Sequence, residues 1–167
     1  FGLPSLRSGI VIAHEEIIRI VSRMTSVFSL APGSLGPALA LDLVRSGEIT
    51  KISCEVIRPF YQAKVKRAVA QLQEEMAGMP FAIHKPEGAL FLWLWFEGLP
   101  ITSRELYERL KARGVLVVSG HYFFPGLDEP WRHKDECIRV TYAQDDEVVQ
   151  KGLSIIADEV RKAYAES

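Results

Sequence analysis

The chain is short of the residues that build metal centres and disulfide frameworks. Its 167 residues include two cysteines, Cys54 and Cys137, and four histidines, with no CxxC, HExxH or Cys/His cluster among them. A zinc site and a disulfide scaffold are therefore not expected, and a reduced, cytosolic setting is. Charge of one sign is also missing: 20 Lys+Arg stand against 21 Asp+Glu, too balanced for a nucleic-acid arm or an acidic tail. There is no P-loop, GxGxxG or GxSxG element, so several common enzyme classes drop out. The longest uncharged run, Met24 to Leu41, is broken by Pro32, Gly33, Gly36 and Pro37 and reads as a loop flanked by helix rather than a membrane span. What remains is an ordinary globular composition, 48% hydrophobic and 25% charged, with enough material for a core. Phe1 is not Met and no signal-peptide layout follows it, so the chain is read as the C-terminal portion of a longer polypeptide.

Patterning gives the expected elements. Gly9 to Ala13 is a short β-branched apolar run and predicts a buried strand. His14-Glu15-Glu16 opens a helix whose Ile17, Ile20, Val21 and Met24 share one face. Helix resumes from Ala38 to Val44 and stops near Ser46-Gly47. Glu48 to Met76 is helical and amphipathic, with Pro59 expected to kink or break it. From Phe81 the texture changes. Strands are predicted at Phe81 to His84, Ala89 to Phe96, Val115 to Val118 and Ile138 to Tyr142. A helix from Ser103 to Arg113 is capped by the Thr102/Glu105 spacing and stopped by Gly114, and a last helix opens at Asp145, Asp146 and Glu147. The order ββαββα is that of a small α/β layer domain. Three parts are expected: 1–47, a connecting helical segment over 48–79, and 80–167.

With no motif to supply chemistry, isolated charges are the candidates. Arg139 interrupts the mostly apolar run Cys137-Ile138-Arg139-Val140-Thr141-Tyr142, and a buried guanidinium needs an anion. Spacing leaves open a structural ion pair with Asp135, Glu136 or Asp146, an exposed edge strand, or bidentate capture of a substrate carboxylate. Arg7, between the Gly2-Leu3-Pro4 loop and the Gly9 run, is either a solvated surface arginine or an anion ligand at the mouth of a sheet. The aromatics of Phe91 to Trp93 read as core. His121 and the loop Tyr122 to Gly126 read as a packed aromatic loop, His14 as a helix-start residue, and Lys85 as a turn residue without the desolvation that would activate it.

Four segments taken together resemble one family. Gly2-Leu3-Pro4-x-x-Arg7-x-Gly9 is similar to the segment that follows the cofactor lysine in class I/II pyridoxal-phosphate aminotransferases of fold type I. Pro86-Glu87-Gly88-Ala89-Leu90-Phe91-Leu92-Trp93 resembles that family's strand entry into its small domain. Gly114 to Gly120 resembles the next strand and turn, and Ile138-Arg139-Val140 its carboxylate-binding strand. The segments occur in family order and span the chain, with two departures: Ser119 stands where proline is usual and Ser5 where glycine is common.

The resemblance implies the end of the large cofactor-binding domain, a long connecting helix and a small C-terminal α/β domain. It implies pyridoxal 5′-phosphate as cofactor, with its Schiff-base lysine immediately before Phe1 and no catalytic residue within the chain. Arg7 and Ser29 would then be cofactor contacts, Ser29 toward the neighbouring subunit's cofactor. Arg139 would clamp the substrate α-carboxylate, with Ser119 and Gly120 near the substrate mouth. The partners implied are amino-acid and 2-oxo-acid substrates and a second subunit in a homodimer, with no metal, nucleic acid or membrane. His84 to Phe96, Leu99 to Thr102, Tyr107 to Val115 and Phe123 to Asp128 are most similar to members that act on valine or alanine with pyruvate or 3-methyl-2-oxobutanoate. An alanine or aromatic aminotransferase, a related lyase, the aminotransferase-like effector domain of a transcriptional regulator, and a small binding module with structural arginines remain as alternatives.

Overall fold

The computed structural model describes residues 9–29, 33–127 and 129–166. The chain divides into two compact units, Phe1–Pro59 and Phe60–Ser167.

The first unit is helical from Glu15 on. Helix α1, Glu15–Phe28, begins at His14, whose Nδ1 accepts a hydrogen bond from the Glu16 N–H, with Glu15 and Glu16 in the first turn where the helix dipole favours them. Its apolar stripe of Ile17, Ile20, Val21 and Met24 is exposed. Helix α2, Leu35–Arg45, ends at Ser46, and Gly47 adopts φ 74° before α3, Glu48–Ile52. The next turn, Ser53–Ile57, is a π-helix, its last bond running from the Arg58 N–H to the Ser53 carbonyl. Helix α4, Arg58–Glu75, follows. The expected break at Pro59 is thus absorbed without interrupting the helix. Proline has no N–H for the Glu55 carbonyl and its ring crowds that oxygen, and a wider turn accommodates both.

The strand expected over Gly9 to Ala13 is not formed. These residues are irregular, and Ile10, Val11 and Ile12 are 62, 60 and 93% exposed. A buried strand needs neighbours on both edges, and no described strand pairs with this run.

The second unit is a two-layer α/β structure. Strands β1, Phe81–Ile83, β2, Phe91–Phe96, β3, Val118–Ser119, and β4, Cys137–Thr141, form a sheet in the order β1-β2-β4-β3 with every pair antiparallel. Helices α4, α5, Ser103–Ala112, and α6, Asp146–Ala165, supply the facing layer. Thr102 Oγ1 caps α5 by accepting the Glu105 N–H at 3.2 Å. Strand β3 is shorter than its sequence suggests. The Val115 N–H closes the helix terminus onto the Leu110 carbonyl at 2.9 Å around Gly114 in the left-handed conformation, so the first residue of the expected strand belongs to the cap.

Alternation divides the sheet cleanly. Leu92, Leu94, Phe96, Ile138 and Val140 point into the core with Leu72, Leu106, Leu110, Leu153, Ile156 and Val160. Phe91, Trp93, Trp95, Cys137, Arg139 and Thr141 lie on the other face, in register as Phe91↔Thr141, Trp93↔Arg139 and Trp95↔Cys137. That outer face is partly covered by two 3₁₀ turns, Gly120–Phe123 and Arg132–Asp135. The second turn is fastened by Glu136, 6% exposed. Its carboxylate accepts from Trp95 Nε1 at 2.9 Å and the Gly98 N–H at 3.1 Å, and pairs with Arg132 Nε at 2.8 Å.

Glu136→Ala would leave the Trp95 and Gly98 donors unsatisfied and is expected to cost about 2–4 kcal/mol. Urea denaturation of the wild-type and variant proteins measures it, and a loss within experimental error would show that the carboxylate fastens nothing.

Candidate functional site

The outer face gathers the chemistry. Arg139 sits in the middle of β4, with Trp93 opposite it on β2 and Val118 on β3. Its neighbours Ile138 and Val140 must enter the core, and the period of two turns Arg139 away from it. The guanidinium is half-buried. Its carbon lies 4.2 Å from the Phe91 ring centroid and 4.8 Å from that of Phe123. Nε is buried without a hydrogen-bond partner, and among the described residues Arg139 enters no ion pair. The acids that spacing offered are engaged or apart: Glu136 pairs with Arg132, Asp146 with Lys64 and Arg67, and Asp135 with no described cation. Beside Arg139 opens a cleft of about 290 Å³ walled by His84 to Gly88, Phe91, Leu92 and Trp93. An unpaired, partly desolvated cation facing a cleft is a site for an anion.

Ala89 and Leu90, which join the cleft's two lining stretches, are anchored from the end of β4. Thr141 Oγ1 and the Tyr142 N–H donate to the Leu90 carbonyl, both at 3.2 Å, and Tyr142 Oη donates to the Ala89 carbonyl at 2.7 Å. Ala89 takes φ 62°, a conformation unusual outside glycine.

A larger groove of about 680 Å³ lies between α4 and α6, lined by Lys64, Arg67, Gln71, Glu74 and Asp146 among others. Three of its charges satisfy one another: Lys64 and Arg67 both pair with Asp146. Lys64, with Arg67 assisting, holds the Asp146 carboxyl below the usual range. What sets the smaller cleft apart is burial: among the described residues Arg139 Nε is the buried side-chain polar atom left without a hydrogen-bond partner, and the larger groove has none.

The remaining expected residues are distributed as follows. Ser119 shares the register of Ile138, which turns it to the face opposite Arg139. Its hydroxyl, buried, lies 2.7 Å from both Ser103 Oγ and His121 Nδ1. Arg104 Nη2 lies 3.3 Å from His121 Nε2 and can only donate, so Nε2 accepts, Nδ1 carries the proton toward Ser119, and Ser119 donates to Ser103. Gly120 is fixed by space: a Cβ there would stand 2.5 Å from the Cys137 carbonyl oxygen and 2.9 Å from that of Lys134. Ser29 belongs to the first unit, at the C-terminus of α1, exposed. Arg7, Leu30 to Pro32 and Asp128 lie outside the described residues. Lys85 is 82% exposed and paired with Glu87 at 2.7 Å, as its turn reading requires. The two rings against Arg139 were not singled out as its partners by sequence reasoning. For Phe91 the available signal was parity, since it alternates with the core residues Leu92 and Leu94; Phe123 arrives from a turn and had no such signal.

The sequence profile described as aminotransferase class I and II matches residues 1–156. The chain belongs to the class I and II aminotransferase family. Valine–pyruvate aminotransferase of Escherichia coli (strain K12) is 48% identical over 166 residues, covering 99% of this chain and 40% of the relative. The crystal structure of valine-pyruvate aminotransferase AvtA from Salmonella typhimurium LT2 superposes with a TM-score of 0.86 at 45% identity, over 99% of this chain and 43% of that one. A more distant family structure, kynurenine aminotransferase from Pyrococcus horikoshii in complex with PMP, gives a TM-score of 0.67 at 25% identity over 89% of this chain and 35% of that one. The chain thus spans about two fifths of the length of these aminotransferases. The matched structures give it the architecture of a fold-type I aminotransferase's C-terminal portion. No helix among the described residues is long and apolar enough to cross a membrane.

Two consequences concern the outer face. Gly120→Ala should destabilise the protein by about 1–3 kcal/mol, because backbone on two sides must yield, and thermal unfolding reads it. Burial pushes the Cys137 thiol up to about 11, above the ~8.5 of an unfolded cysteine. The folded state holds this proton more tightly, so the contribution is complete below pH ~8.5 and is lost as pH rises toward 11. At pH 8, iodoacetamide should alkylate exposed Cys54 and spare Cys137 until the protein is unfolded, as peptide mass spectrometry would show.

Proposed function

We propose that the complete protein is a pyridoxal-phosphate-dependent transaminase of the valine–pyruvate type, exchanging an amino group between valine or alanine and pyruvate or 3-methyl-2-oxobutanoate. The observation that carries the reading is the Arg139 guanidinium, shielded by two rings, unpaired and open to a cleft. It is an acceptor site for one carboxylate, the group that every amino-acid and 2-oxo-acid substrate shares. Family membership supports the reaction class, and the 48% identity to the Escherichia coli valine–pyruvate aminotransferase supports valine and pyruvate as substrates.

When bound, pyridoxal phosphate supplies the electron sink for the substrate α-carbon. The residues present fit it. The Ser29 hydroxyl is exposed and makes no hydrogen bond among the described residues, which leaves a donor for a phosphate or for a neighbouring subunit's cofactor. Arg7 is assigned to the phosphate by resemblance. Arg139 orients the substrate: a bidentate grip on the α-carboxylate fixes the direction of the α-carbon's remaining bonds. Trp93, packed by Phe123 and Phe124, gives that neighbourhood an apolar surface suited to uncharged side chains. Ser119 and Gly120 act in this proposal through the turn that carries Phe123, not by touching substrate. The division into 1–47, 48–79 and 80–167, a homodimer and a cytoplasmic location complete the reading, the last supported by the two free cysteines.

Arg139→Ala in the complete enzyme should lower kcat/KM for valine and alanine about 10²–10³-fold, with KM carrying most of the change, and Arg139→Lys should recover only part because an ammonium lacks the planar fork. Steady-state kinetics with pyruvate as acceptor measures this. Unchanged constants in Arg139→Ala would remove the reading's foundation.

A further inference from the structure

We propose that Phe91 and Phe123 are positioning residues that clamp the Arg139 guanidinium, so that it meets a carboxylate along one fixed edge. This rests on the reading of Arg139 given above and concerns what holds that residue. An arginine side chain is long and flexible, and a bidentate grip requires its plane to be set before the anion arrives. Hydrogen bonds and ion pairs ordinarily set it, and Arg139 has neither among the described residues. What it has is aromatic. Phe91 reaches it from β2 and Phe123 from the turn after β3, the two strands that flank β4. Both rings lie at distances where a cation is attracted to the π face, and both displace water that would otherwise solvate the guanidinium. The strength of this attraction rises as water is excluded, and the buried, unpartnered Nε marks how far exclusion has gone.

Two further features separate a clamp from mere filling. Phe91 and Phe123 remain 41 and 38% exposed, so neither is a core residue placed by burial alone. Phe123 is also braced: its ring meets Trp93 edge-on at 5.1 Å and 88°, and it ends the 3₁₀ turn that Gly120 lets approach β4. Trp93 is the cross-strand partner of Arg139, so the brace and the cation share one register.

The test uses the full-length holoenzyme and 3-methylbutanoate, a carboxylate without an amino group, titrated by calorimetry, with 3-methylbutanamide as the uncharged control. Phe123→Leu should weaken 3-methylbutanoate binding about tenfold, Phe123→Tyr should hold it within about twofold, and the amide should not discriminate among the proteins. In an Arg139→Ala background, Phe123→Leu should add nothing, because its effect passes through the missing guanidinium. Phe91→Leu supplies an independent variant should Phe123→Leu fold poorly, with the same expected pattern. Wild-type affinity in both leucine variants while Arg139→Ala binds weakly would overturn the clamp and leave the Arg139 reading intact. A leucine penalty that persists in full in the Arg139→Ala background would overturn it too. Wild-type affinity in Arg139→Ala itself would overturn both.

Discussion

The register between β2 and β4 is the constraint on which the rest of the second unit depends. Leu94 stands opposite Ile138 and Leu92 opposite Val140, all four directed into a core closed by three helices. A slip of one residue would exchange faces, driving a guanidinium in among leucines and turning Ile138 and Val140 out to solvent. Burying an unpaired charge there would outweigh any gain from alternative pairing. The hydrophobic pattern of one strand therefore fixes the direction of Arg139 without a single bond to its side chain.

Charge satisfaction elsewhere makes Arg139 conspicuous. Arg113 is held by Asp158 and Glu159, whose hydrogen bonds raise its pKa, and Arg109 by Glu105 and Glu166 in the same way. Arg132 sits on Glu136, and Lys64 and Arg67 share Asp146. These pairs lie mostly at the surface and contribute little each to stability. They do remove competitors: Glu136 and Asp146 are occupied, and among the described residues Asp135 makes no ion pair with Arg139.

Much of the second unit was legible because local signals and the global pattern agree there. The Thr102 cap, the Gly114 stop and the apolar aromatic run up to Phe96 behind the Lys85 to Gly88 turn each name an element, and each element forms. Arg139 was legible as an anomaly in an apolar strand. Its freedom from Glu136 was not, since that depends on Trp95, Gly98 and Arg132 converging on the carboxylate through the fold. Nor was the burial of Ser119, whose partner Ser103 lies 16 positions away on α5. In the first unit the signals conflict. Ile10 to Ile12 and the stripe on α1 are apolar by sequence and exposed, because burial of a strand or an amphipathic helix is a property of what packs on it, and nothing described does.

The same strand that aims the cation also holds the turn that leads into β2. Thr141 and Tyr142, immediately after Val140, secure the Leu90 and Ala89 carbonyls, and Ala89 accepts a left-handed backbone to reach that bond. Residues held in such conformations persist only where their surroundings over-determine them, and here two side chains and one amide of β4's end do so. Arg139 and the β2 residues Phe91, Leu92 and Trp93 line the cleft together, and β2 is paired to β4 through that stretch, so this side of the cleft has little freedom to move. A side chain carried mid-sheet, with paired strands on both sides, is held more firmly than one on a loop, and this is the support Arg139 has.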